Sequence, residues 1–157
     1  MTMTQAINEG VVPARKTRAQ VLRDQVQIRL ALDSAGPLIA EVLKANGIEF
    51  PGADWSKVFP NWLIATVDDE VIGCIQVMPA KPVGWLEFLF TKPSVSFKLR
   101  AIAIRKLCFQ GAATLKMGGA NFLCCSVEHV NKKFYNVLKK YDVIEAGSAA
   151  LMVKRLR

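Results

Sequence analysis

The chain has 157 residues, 52% of them hydrophobic, which suits one domain with a full core and excludes a disordered chain. No apolar run is long enough to cross a bilayer, and the start, Met1-Thr2-Met3-Thr4-Gln5, lacks the charged and apolar regions of a secretory signal, so a cytoplasmic protein with no membrane partner is expected. The formal net charge of +8 favours anionic partners such as nucleic acid, nucleotides or acidic proteins, and says nothing about fold.

Residues 1–24 show no clear apolar period and carry Arg15, Lys16, Arg18 and Arg23. They read as a basic N-terminal arm, mobile or holding a short peripheral helix, ahead of a domain spanning 25–157. Val26-Gln27-Ile28-Arg29-Leu30 alternates as a first strand. Asp33 or Ser34 is expected to cap a helix bearing Leu38, Ile39, Val42 and Leu43, stopped by Asn46-Gly47. A connecting region with Pro51-Gly52 and Trp55 follows, with room for a short helix from Asp54. Trp62–Val67 and Val71–Met78 read as an antiparallel strand pair turning through Asp68-Asp69-Glu70.

Val83–Thr91 is apolar, aromatic and of strand length, and Pro93 ends it because proline donates no ladder hydrogen bond. Ser94 or Ser96 can cap the long helix that starts at Phe97. On that helix Ala101, Ile104, Leu107, Cys108, Gly111, Ala112 and Leu115 form an arc expected to pack on the sheet, while Lys98, Arg105 and Lys116 line another stripe. No acidic residue occurs between Glu87 and Glu128. Cations at a helix start are unfavourable unless an anion sits there, so strand, turn and cationic helix start have the layout of a phosphate site. An ordinary strand–loop–helix unit with solvated cations fits the same residues.

Gly118-Gly119 closes the helix. Asn121–Val127 is a further strand, expected to lie parallel to the strand at Val83–Thr91 through a right-handed crossover, or to splay from it. Asn131 begins another helix with Phe134, Val137 and Leu138 on its apolar side. Tyr141–Ile144 and Ala150–Val153 close the chain as short strands. Cys74, Cys108, Cys124 and Cys125 contain no Cys-x-x-Cys pair, and His129 is the one histidine. No metal site is therefore expected, and the thiols read as buried and reduced.

This element order over about residues 26–156 resembles the GCN5-related N-acetyltransferase (GNAT) superfamily. The resemblance implies an α/β (α+β) domain with a mixed, mostly antiparallel sheet flanked by helices. It rests also on two local patterns. The first is the central strand and the loop after it, Glu87 to Ile104. There the family holds the pyrophosphate of acetyl-CoA on backbone amides of an Arg/Gln-x-x-Gly-x-Gly/Ala loop. Here the small positions of that loop fall on Phe97, Leu99 and Ala101. Phe97 and Leu99 would obstruct close approach by the ligand, so acetyl-CoA is expected to bind weakly or not at all. The second pattern is Asn131 followed by a helix ending Val137-Leu138-Lys139-Lys140-Tyr141-Asp142-Val143. The family's thiolate-protonating tyrosine falls on Leu138, with Tyr135 one turn earlier as a substitute. Diverged proteins with this fold and an altered cofactor loop, including components of phage particles, look similar.

The resemblance implies N-acyl transfer from acyl-CoA to an amine acceptor. Glu87 would take the amine's proton, and backbone donors of the central strand would hold the developing oxyanion. Lys98, Leu99, Arg100, Ala101 and Asn131 would contact the cofactor, and Tyr135 would serve the leaving thiolate. Burial among Trp85, Leu86, Phe88 and Leu89 would raise the Glu87 pKa toward a useful range. A solvent-facing strand glutamate is the simpler reading. Glu128 and His129 follow the fifth strand, where a surface loop pair is the plain alternative to a ligand site. Trp55, Trp62 and Trp85 could line an acceptor pocket or simply pack the core. The competing function class is a non-catalytic binding or structural protein, such as a virion or nucleic-acid-associated component. Its partner surface would be Ile102 and Phe109 beside Lys98 and Arg105.

Overall fold

The computed structural model describes residues 16–49, 61–126, 136, 138–140, 144–145 and 151–155. The elements are α1 (Arg18–Gln25), β1 (Gln27–Leu30), a 3-10 turn (Asp33–Ala35), α2 (Gly36–Lys44), β2 (Trp62–Val67), β3 (Glu70–Met78), β4 (Val83–Thr91), α3 (Phe97–Met117), β5 (Phe122–Ser126), β6 (Ile144–Glu145) and β7 (Leu151–Arg155). The strands form one seven-stranded sheet in the order β1-β2-β3-β4-β5-β7-β6. Among the described residues only β4 and β5 run parallel; every other neighbour is antiparallel. This is the expected mixed, mostly antiparallel sheet, with α3 as the crossover between its one parallel pair.

The sheet is covered on both faces, so β2 and β3 are almost continuously buried. On one side α3 packs Ala103, Leu107 and Leu115 against Leu63, Ala65, Ile75, Val77, Leu86 and Leu123. On the other, Ile39, Val42 and Leu43 of α2 meet Trp62, Ile64, Val71 and Cys74. Val71 and Cys74 are an odd number of residues apart, yet share a face. Ala65 pairs Gly73 while Thr66 pairs Val71, so Ile72 is an extra residue that resets the alternation.

Two glycines let α3 sit close to the sheet. A Cβ on Gly84 would meet Leu115 at 2.6 Å, and one on Gly111 would meet Leu86 at 2.8 Å. At the end of α3, Gly119 takes φ +87°, and Ala120 N–H reaches back to the Leu115 carbonyl at 3.0 Å. That satisfies a carbonyl the helix would otherwise leave open.

Three expectations need correction. Neither Asp33 nor Ser34 caps α2: they lie in the 3-10 turn, and Ala35 precedes the helix without a side-chain cap. Glu70 belongs to β3, so the hairpin turn is Asp68-Asp69, both at positive φ. The packing arc of α3 is centred on Ala103, Leu107, Gly111 and Leu115, while Ala101 is exposed. Of the two readings of the N-terminal stretch, the short peripheral helix is the one found over Arg18–Gln25: α1 is docked where Lys106 of α3 donates to the carbonyls of Arg23 and Val26, at 2.6 Å each. The possible helix from Asp54, Trp55, and the strand start at Tyr141 lie outside the described residues.

Candidate active site

β4 carries the site because its two halves differ. Its first half pairs in parallel with β5, from Val83 opposite Phe122 to Leu86 opposite Cys125. The β4–β5 pairing ends there while β4 runs on to Thr91. At the same place β4 bulges against β3. Gln76 pairs Glu87 and Cys74 pairs Phe90, so Phe88 and Leu89 together face Ile75. Phe88 takes φ +51°, a conformation rare for a bulky residue. Its ring is held against Trp62, with centroids 6.0 Å apart. Bulges re-aim side chains and interrupt pairing next to functional sites.

Glu87 sits at this junction, half-buried. Ser126 Oγ, at the end of β5, donates to Glu87 Oε1 at 3.1 Å. Burial pushes the Glu87 pKa up from the usual carboxylate range, and the hydrogen bonds from Ser126 partly offset the rise. A carboxylate so placed can accept a proton near neutral pH more readily than a surface glutamate.

About four residues on, roughly 13 Å along the strand, β4 gives way to the loop leading into α3. The loop is fixed at both ends. Lys92 N–H donates to Ile72 O at 2.9 Å, and Val95 N–H to Lys92 O at 3.1 Å, a turn with Pro93 at its second position. Arg100 Nε donates to Thr91 Oγ1 at 3.0 Å, while Asn46 Nδ2 donates to Thr91 O at 3.1 Å. Lys92 Nζ lies 3.1 Å from Glu70 and 3.8 Å from Glu41. Ser96 caps α3 by accepting from Leu99 N–H at 3.5 Å.

This arrangement changes which groups can meet a phosphate. The Arg100 amide donates to Ser96 O at 3.0 Å, and the Ala101 amide lies within the helical ladder. Arg100 and Ala101 therefore offer no free amides, contrary to expectation, and the Leu99 amide is taken by the cap. The first-turn donors left over are the amides of Phe97 and Lys98. The expected obstruction is also placed differently. Phe97 is 81% exposed, and Leu99 packs into the core on the α3 side, so neither side chain fills the loop. Lys98 is exposed beside the open amides, and no acid lies in the first turn.

No family model and no curated protein matches the chain. Solved structures do. N-acetylglutamate synthase from Neisseria gonorrhoeae, determined with coenzyme A and L-arginine, superposes with TM-score 0.70 at 15% identity, over 84% of this chain and 33% of that one. PaiA N-acetyltransferase from Thermoplasma acidophilum, in complex with coenzyme A, gives 0.64 at 17% identity, over 83% of this chain and 99% of that one. A protein from Desulfovibrio desulfuricans assigned to the GNAT family of acetyltransferases gives 0.64 at 13%, over 83% and 98%. The chain thus spans a third of the synthase and nearly all of the other two.

The chain has the GNAT fold. In a GNAT frame β4 is the central strand, and the loop 92–96 with the start of α3 is the segment the resemblance assigned to the cofactor. Asn131 and Tyr135, expected at the second family pattern, lie outside the described residues, as do Glu128 and His129. Leu138, at the position of the usual tyrosine, is half-buried. All four cysteines are free thiols. Burial pushes Cys74 and Cys125 up to about 12 and Cys108 up to about 11, and raises Cys124. None is a thiolate nucleophile at neutral pH. Ser126, which the sequence reading passed over, is the partner of Glu87. Its only signal is its place at the end of β5, the strand that lies parallel to β4.

Replacing Ser126 by alanine removes a donor that favours the charged carboxylate. The Glu87 pKa should therefore rise further, with little change in folding stability, because Ser126 is exposed. Carbon-13 titration of the glutamate side chains in both proteins checks this. An unmoved or lowered Glu87 titration would show that the hydrogen bond is not made in solution.

Proposed function

We propose that the protein is an acyl-CoA-dependent N-acyltransferase of the GNAT type acting on an amine acceptor. The observation that carries this reading is Glu87: a half-buried carboxyl with a raised pKa, hydrogen-bonded to Ser126 where β4 and β5 part. The start of α3 supports it. Two unpaired first-turn amides, an exposed lysine and no acid suit a pyrophosphate. When bound, acyl-CoA supplies the activated acyl thioester. The chain's own part is to hold the anion at Phe97 and Lys98, keep Glu87 partly dry, and take the proton of the acceptor amine at the Glu87 carboxylate. The bulge at Phe88 interrupts β4 pairing beside that carboxylate, where a backbone donor can face the reacting carbonyl.

Titration calorimetry with acetyl-CoA tests the reading. The glycines that let backbone approach a phosphate closely are lacking here. The expected dissociation constant therefore lies between about 10 μM and about 1 mM, roughly −7 to −4 kcal/mol. Lys98→Glu should weaken it by roughly tenfold, because it places a like charge against the phosphates. Absence of binding at millimolar acetyl-CoA would remove the enzyme reading and leave a GNAT scaffold used for binding alone.

A further inference from the structure

We propose that the outer face of α3 is a binding surface for single-stranded nucleic acid. From Phe97 to Met117 the helix carries Lys98, Arg100, Arg105, Lys106 and Lys116 and no acid. Two of these cations have structural work inside the fold: Arg100 holds Thr91, and Lys106 holds the end of α1. Lys98 and Arg105 face solvent, and among the described residues neither has a salt-bridge partner.

By helical period Phe109 falls on the stripe of Lys98, Arg105 and Lys116, while Phe97 and Met117 lie about 100° to either side of it. Phe97 is 81% exposed, Phe109 80% and Met117 87%. Phe97 neighbours Lys98, Phe109 lies one turn beyond Arg105, and Met117 follows Lys116. One aromatic ring and three cations therefore share a face roughly 27 Å long from Lys98 to Lys116, at about 1.5 Å per residue. Exposed phenylalanines gain nothing from water and are not needed by the core. Next to Lys98 and Arg105, Phe109 offers what a single strand uses: charge for the phosphates and a flat ring for an unstacked base. An acidic protein would match the charge alone, and a duplex hides the faces of its bases. The chain's net charge of +8 adds a long-range attraction of the same sign.

The test is fluorescence anisotropy on the full chain with a labelled oligothymidylate of about twenty residues. The expected result is binding that weakens at least about tenfold between about 50 mM and about 200 mM salt. Phe109→Ala should weaken it by roughly fivefold or more, and Arg105→Glu further, while circular dichroism stays unchanged. Acetyl-CoA titration of Phe109→Ala should match the parent, because Phe109 lies roughly 18 Å from the helix start. Failure of this surface is thereby distinguished from failure of the cofactor site. No binding at low salt would overturn the proposal. So would Phe109→Ala binding as well as the parent, tighter binding to a duplex of equal length, or equal competition by polyglutamate and unlabelled oligonucleotide at matched charge.

Discussion

Glu87→Gln should lower kcat by about a hundredfold or more, the usual contribution of a positioned general base, which corresponds to roughly 2.7 kcal/mol of barrier. The amide keeps the size of the carboxyl and can still accept from Ser126, so acetyl-CoA affinity should not change. The pH dependence has a defined sign. Burial raises the Glu87 pKa in the folded state, so the folded chain holds this proton more tightly than the unfolded one. The associated stability is fully present below the unfolded pKa and is lost as pH rises through the folded value. Turnover should rise over that same window as the base becomes charged. In Glu87→Gln the acidic limb of the rate profile should vanish, and stability at neutral pH should equal or exceed that of the parent. A variant with parental kcat would show that another group takes the proton.

Leu107→Ala should destabilise the fold by about 3 kcal/mol, within the range for emptying a fully buried leucine site. For a chain of this size that lowers Tm by roughly 6–12 °C. Leu107 is wholly buried in the core on the α3 side, and its Cδ1 would lie 3.6 Å from a Cβ built on Gly73. The close contacts of α3 at Gly84 and Gly111 limit how far the helix can settle into the gap, so the cavity should persist. Phe109→Ala, on the opposite side of the same helix, should change stability by less than about 0.5 kcal/mol. Thermal unfolding of the two variants side by side separates the faces. Equal losses would mean that the helix is rotated from the phase described.

The strands were legible because both faces of the sheet are covered, which leaves long apolar runs at β2, β3 and β4. The parallel β4–β5 pair followed from the length of the helix between them. The stops at Asn46-Gly47 and Gly118-Gly119 were legible because Gly47 and Gly119 are placed where the chain turns left-handed. The bulge at Phe88 was not legible. A phenylalanine at positive φ has no local preference to announce it, and the ring is held by Trp62 from another strand. The phase of α3 was misjudged by two residues at its start. Ala101 and Ala103 are identical as sequence signals, and only packing against the sheet tells them apart. At the site, Glu87 was legible as an acid within an apolar strand. At the helix start the family spacing points to Lys98 through Ala101, whereas the amides outside the helical ladder are those of Phe97 and Lys98. The cap at Ser96 then decided which amides were left open.

The attachment of α1 has a consequence for the order in which a nascent chain can settle. α1 has eight residues, too few to persist as a helix by itself. Its terminal carbonyls are held by Lys106, which is separated from them by 80 and 83 positions in sequence. A ribosome completes the whole β1–β4 meander before it makes that lysine. α1 therefore cannot be fastened until α3 has formed and laid itself across the sheet. Such distant closure is slow relative to hairpin formation. The amino-terminal segment should accordingly stay open to a chaperone or a protease for most of the chain's synthesis.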